Sequence, residues 1–224
     1  ASDRAETLLH NLSRGAGADG LQALTWQRSL TPSIRLVRPL LTLTRRDTDQ
    51  FCRDRLLLVW QDSTNHDLAY TRNRIRHCVM PVLTTQLNAK AEQHLAQTAE
   101  LLSAEVDYLN ETAAAIWQDV IDSPRSDSQE ADACARSPRL NRVRLRSRHL
   151  ALQRRVIRHH LQYCLATAPT YDHIEKVVAL IDAPNRSRTD PLPGGAIALV
   201  HHPWIVVQVR GANRIQKLGN GDRP

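Results

Sequence analysis

The sequence predicts a mainly α-helical chain that opens on the tail of an α/β domain and closes on a short β-hairpin. Three observations carry this. Apolar residues recur at helical spacing through most of the 224 residues. One early run, IRLVRPLL at 34–41, alternates with β-branched residues instead. Near the end, GGAIALVHHPWIVVQV has the composition of two short strands turning around His201 to Pro203.

In chain order, Leu8, Leu9 and Leu12 mark a helix from Asp3 to about Ser13, which the glycines of RGAGADG end. IRLVRPLL fits a strand that leaves its sheet at Pro39. Arg45 to about Leu56 is the next helix. These pieces look like the end of an α/β domain whose earlier strands are absent. After the polar QDSTNHD at 61–67, helical spacing returns through RNRIRHCVMPVL and is expected to stop or kink near Pro81. From about Thr84 to Val120, residues such as Leu95, Leu102, Leu109, Ala113 and Ile116 form the stripe of one long helix that needs partners. The polar, proline-bounded stretch 122–138 is expected to be a mobile loop. Two more helices follow. One spans about Ser147 to Leu165; the other starts at a Thr170 cap and carries Ile174, Val177, Val178 and Ile181 on one face. Residues after Gly211 are expected to fray. The expected division is therefore 1–76, 77–210 and a tail at 211–224.

Hydrophobic residues are 42% and charged residues 24%, which is globular usage. No apolar run approaches the ~20 residues of a spanning helix. The start lacks a basic stretch followed by an apolar one, so a cytoplasmic protein is expected. Opening on Ala1 rather than Met, the chain is expected to be a piece of something longer. Its net charge is +7, and of the 30 basic residues only Lys90, Lys176 and Lys217 are lysine. An arginine excess favours a polyanionic partner, because the planar guanidinium donates two parallel bonds to phosphate. Cys52, Cys78, Cys134 and Cys164 are far apart, and the pairs His159–His160 and His201–His202 lack a third ligand. No metal site built on His or Cys is indicated. Aromatic residues at 4% argue against a single-strand binder made of stacked rings.

Three constellations could carry chemistry. Asp3 and Glu6, three apart at a helix start, fit a capping box, or carboxylates that hold magnesium or orient an amine beside a nucleotide. Arg72 and Arg76 share a helix face and repel one another unless an anion lies between them. That anion is Asp62, folded back by the DSTN turn, a phosphate, or both, with Asp62 positioning one arginine and leaving the other free; Asp62, Asn65 and Asn73 would organise the site. Arg154, Arg155 and Arg158 form either a solvated helix face or contacts to RNA phosphates.

ASDRAETLLHNLSRGAGADGL resembles the stretch HxxDDQAETxLxxLxRGSGxxGL of the tRNA(Ile)-lysidine synthetases. VRPLL, a helix, W-x-D-x-(S/T)-N and RNxIR resemble its continuation in the same order. The similarity is dense over residues 1 to about 83 and looser in LALQRRVIRHHL and LPGGAIALV. The resemblance implies the C-terminal remnant of a Rossmann-like α/β PP-loop ATPase domain, followed by an all-α tRNA-binding domain with a terminal hairpin. The family's SGGxDS loop does not occur in this chain, which alone is expected to be inactive. The implied reaction uses ATP and Mg2+ to adenylate the wobble cytidine of tRNA(Ile) with a CAU anticodon. Free L-lysine then displaces AMP and leaves lysidine, which pairs with A. Position by position, the resemblance makes Asp3 and Arg72 catalytic and Glu6 and Arg76 nucleotide- or magnesium-binding; given a tRNA substrate, the charge run of Arg154, Arg155 and Arg158 is expected to contact its phosphates. Ser2 and Arg4 depart from the family's Asp and Gln, which unsettles any role needing adjacent carboxylates. Two alternatives stay open: a PP-loop tRNA thiolase, whose cysteine pairs are missing here, and a non-catalytic basic tRNA-binding module.

Overall fold

The computed structural model of the chain describes residues 1–60, 62–122 and 138–209, and is mainly helical with two small antiparallel sheets. These residues fall into two compact units, Ala1–Tyr108 and Leu109–Pro224. The expected mobile loop, apart from its end residues, and the expected frayed tail lie outside the described residues. Among the described residues no helix is long and apolar enough to cross a membrane.

In the first unit, α1 runs Ser2–Ser13 and is followed by α2, Ala18–Leu21. Gly15, at φ +73°, makes the turn between them in a region that side chains with a Cβ rarely adopt. The capping-box reading of Asp3 and Glu6 is overturned. Ala1 is the N-cap and no side chain caps the helix, because both carboxylates find guanidiniums instead. A true capping box sits at α3, Arg45–Asp54, where Thr44 N–H donates to Asp47 (2.8 Å) and Asp47 N–H returns to Thr44 Oγ1 (3.2 Å). The run IRLVRPLL contributes β2, Arg35–Val37, paired antiparallel with β1, Gln27–Ser29, so that Arg28 faces Leu36. This is a small surface hairpin. Leu56, Leu58 and Trp60 beyond α3 are almost wholly exposed.

Helical structure resumes at α4, Thr71–Arg74, and continues through α5, Met80–Val82, to Leu87. Wide π turns at Ile75–Val79 and Leu83–Leu87 flank α5. Pro81 lacks an N–H and its ring crowds the preceding turn, so a widened ladder is the expected accommodation. The chain breaks only at Asn88, in extended conformation, before α6, Ala91–Val120. Ala5 and Leu9 of α1 pack with Ile75, Met80, Leu83 and Leu95. That small cluster fixes α1 against α4 and thereby sets the site.

The second unit has the larger core. Around Trp117, Val120 and the C-terminal part of α6 pack α7 (Arg142–Arg146), α8 (Leu150–Cys164) and α9 (Tyr171–Val178). Leu140, Leu145, Ile157, Leu161 and Ile205 have no exposed surface. Burial of each such side chain contributes roughly 2 kcal/mol before ordering entropy. Strands β3 (Ile121–Asp122), β4 (Arg139–Asn141), β5 (Ile197–His201) and β6 (Trp204–Gln208) form one antiparallel sheet in the order β3-β4-β6-β5. The expected hairpin is present as β5–β6, but the expected all-α domain is corrected: two more strands extend it. At two and three residues, β3 and β4 are too short to show a period of two.

His160 is fully buried, receives the Trp117 indole N–H at 3.4 Å, and lies 3.6 Å from Cys164 Sγ. Burial, with a smaller contribution from His159, pushes the His160 pKa down to about 4. Burial pushes the Cys164 thiol up to about 12. The histidine is a neutral core residue and the cysteine an inert thiol.

Candidate active site

One carboxylate sits at the centre of the first unit. Glu6 is 2% exposed, one turn into α1, on the face that meets α4. Arg76 donates to it through Nε (2.8 Å to Oε1) and Nη2 (2.8 Å to Oε2). Arg72 adds its Nε at 3.1 Å to Oε2. The like charges that α4 and the following π turn bring onto one face are thus reconciled by Glu6, not by Asp62. Burial alone would push the Glu6 pKa up, but the bonds from Arg76 and Arg72 outweigh it and hold the carboxyl below its ordinary value.

Asp3, one helical turn earlier, is the open member of the set. Arg72 Nη2 reaches its Oδ1 at 3.0 Å, with Arg45 at 3.6 Å and Arg76 at 4.0 Å on the same oxygen. The side chains of Asp3 and Arg72 are 53% and 50% exposed, against 14% for that of Arg76. A cleft of about 620 Å³ opens beside them, also lined by Ser2, Arg38, Arg45 and Thr48. One charged pair therefore faces solvent and a second, buried pair fixes its position.

Asp62, Asn65 and Asn73 all bond within the turn before α4 or onto it. Asp62 accepts from Thr64 N–H (2.9 Å) and Thr64 Oγ1 (2.8 Å), so it caps the short Ser63–His66 turn and leaves Arg72 to other partners. Asn73 is buried and donates to the carbonyls of Thr64 and Asp67, both at 2.8 Å. The Asn65 carbonyl lies 3.0 Å from His77 Nε2. Bonding of this kind locks the approach to Arg72.

Sequence reasoning missed Arg45, whose position at the start of α3 carries no signal, and the pairings of Ser2 and Arg4. Ser2 donates to Glu92 of α6 and accepts the Arg45 N–H at 3.0 Å. A carboxylate in its place would confront Glu92. Arg4 pairs with Glu100, donates to Leu24 O at 3.0 Å and lies 5.7 Å from the Trp26 ring, whose N–H reaches Glu100 at 3.1 Å. These partners lie up to 96 positions away in the sequence.

In the second unit, Arg154 is held by both oxygens of Glu175 (2.7 and 2.9 Å) and Arg155 donates to Asn110 at 2.5 Å. Arg158 is likewise engaged. Among the described residues no cluster of three or more His, Cys, Asp or Glu is placed to hold a metal. Asp3 and Glu6 are already balanced by guanidiniums, so these residues do not fit a magnesium ion held by this chain.

Comparison with known proteins follows the same division. Residues 1–83 match the PP-loop domain family, and residues 140–203 match the TilS substrate binding domain family. The chain is 55% identical over 210 residues to a tRNA(Ile)-lysidine synthase from Nostoc sp. (strain PCC 7120), covering 93% of this chain and 61% of the relative. It is 46% identical over 210 residues to the Synechocystis sp. (strain PCC 6803) tRNA(Ile)-lysidine synthase, covering 91% and 60%. Both of these tRNA(Ile)-lysidine synthases are thus similar to this chain over more than nine-tenths of its length. A third, from Gloeobacter violaceus, is 40% identical over 204 residues, covering 91% and 58%. The chain thus spans about three-fifths of the length of the tRNA(Ile)-lysidine synthases it matches. The cluster of Asp3, Glu6, Arg72 and Arg76 lies wholly within the PP-loop match.

Proposed function

We propose that this chain serves ATP-dependent lysidine formation on tRNA(Ile) with a CAU anticodon, in the cytoplasm, with residues 1–76 belonging to a Rossmann-like catalytic domain and 77–210 to a tRNA-binding one. The observation that carries this reading is the exposed Asp3–Arg72 pair seated on the buried Glu6–Arg76 pair. In the first step the cytidine O2 attacks the α-phosphorus of ATP and diphosphate leaves. In the second, the ε-amine of free lysine attacks C2, the C2–O2 bond breaks, AMP departs and the amine gives up its proton.

Arg72 suits the second step. Its guanidinium is held on one edge by Glu6 and Asp3 while half its surface stays exposed, so its position is set before a phosphate arrives. Asp3 carries its ion pairs on Oδ1, which leaves Oδ2 to accept a hydrogen bond from the attacking lysine amine and then the proton that the amine gives up. Glu6 and Arg76, buried and mutually satisfied, act as positioning residues instead of ligands. Magnesium enters no step derived from these residues.

The test uses protein expressed from the complete open reading frame that encodes this chain. Incubation with unmodified tRNA(Ile) transcript, ATP and lysine, followed by nucleoside mass spectrometry, should give lysidine only when all three are present. A thiolated nucleoside, or no product, would sink the reading.

A further inference from the structure

The sheet of the second unit has one face in the core and one outside it, and the outer face is not an ordinary solvated surface. Register places Arg188, Leu199, Val206, Arg139 and Asp122 in one row across the sheet, Arg188 joining through a bridge to the β5 edge. The next row holds His201, Trp204 and Asn141. Arg139 lies 4.6 Å from the Trp204 ring and pairs with Asp122, the acid of the row. Arg186, Arg188, His201 and Gln208 together with Ile197 and Leu199 line a cavity of about 290 Å³ at the β5 edge.

Two of these guanidiniums differ from every arginine that the sequence marked. Arg186 and Arg188 are exposed, and among the described residues neither side chain has an ion pair or hydrogen bond. Only their backbones are tied: Arg186 N–H donates to Val200 O at 2.9 Å, and Ser187 O and Thr189 N–H pair with β5 on either side of Arg188. Arg154, by contrast, already has its carboxylate. Two unneutralised guanidiniums with a histidine beside an apolar floor form a site for an anion, and the floor of Ile197 and Leu199 accepts a sugar or base edge.

We infer that this outer face, centred on Arg186, Arg188 and His201, seats backbone phosphates of the tRNA substrate. The inference rests on the tRNA reading above, and all three residues fall inside the substrate binding domain match. Phosphate contacts of this kind fix where the RNA lies without reading its sequence.

The experiment measures binding of labelled, unmodified tRNA(Ile) transcript to protein from the complete reading frame over a range of salt. Arg186→Gln with Arg188→Gln should weaken binding about tenfold and flatten the log–log salt slope by about two, one per lost phosphate contact. Arg186→Lys with Arg188→Lys keeps both charges and should restore the slope. A charge-matched control, Arg144→Gln with Arg146→Gln, removes two guanidiniums that face Asp119 and Asp182 and should weaken binding less than about threefold. Unchanged affinity and slope in the first variant, an equal loss in the control, or no rescue by lysine each overturns the inference alone. Wild-type protein that fails to bind the tRNA overturns it together with the proposed function.

Discussion

Arg76 holds Glu6 through two nearly parallel hydrogen bonds of 2.8 Å, and this buried pair joins α1 to the π turn that follows α4. Removing one partner strands a charge in a site that water hardly reaches. Arg76→Ala should therefore destabilise the fold by about 2–3 kcal/mol in urea titration, less than the full penalty because Arg72 still reaches Glu6. Glu6→Gln combined with Arg76→Ala should be clearly less damaging than the two single losses added together. Simple additivity would show that the pair is not coupled.

Acid should loosen the same contact. The folded Glu6 pKa is depressed, so the stabilisation is fully present above the unfolded carboxyl value of 4.5 and disappears as pH falls through the lower folded value. Wild type should lose stability in that acid window more steeply than Glu6→Gln. Parallel pH profiles for the two proteins would contradict the assignment.

His160 gives a second pH dependence at a milder range. Its folded pKa is about 4 against 6.5 unfolded, so the unfolded chain takes up a proton first and stability falls between those values as pH drops. The full effect is up to about 3 kcal/mol. His160→Gln should abolish this part of the profile, read as melting temperature between pH 7 and pH 5. A wild-type profile that is flat there would show the histidine to be solvated.

Thiol chemistry separates the described cysteines. Cys78 is exposed, whereas Cys164 is half-buried with its thiol pushed up to about 12. Under native conditions a thiol reagent should modify Cys78 within minutes and Cys164 only on unfolding, as mapped by peptide mass spectrometry. Fast native labelling of Cys164 would contradict its placement against His160.

Much of this was legible in the sequence because it depended on local period and charge. Repulsion between Arg72 and Arg76 demanded an anion, and helical spacing put Asp3 and Glu6 on one turn of another helix. What the sequence could not disclose was which acid would answer. Asp62 is nearer along the chain, yet its carboxylate is captured by Thr64 two residues on, while Glu6 arrives from 66 and 70 positions away. Distance along the chain also hid the pairing of Arg4 with Glu100. The same limit applied to the second unit. Strands of two and three residues show no alternation, and Arg186 and Arg188 lack the helical run that drew attention to Arg154, Arg155 and Arg158.

The division of labour between an exposed acting pair and a buried holding pair is tested most directly by Arg72→Ala, assayed for both stability and lysidine. With its side chain half exposed, Arg72 should contribute no more than about 1 kcal/mol to folding. Its loss should nevertheless lower the rate of lysidine formation at least about 100-fold, the scale of removing one pre-positioned donor from a developing charge. Near-wild-type lysidine formation by a folded Arg72→Ala protein would contradict the role assigned to this pair.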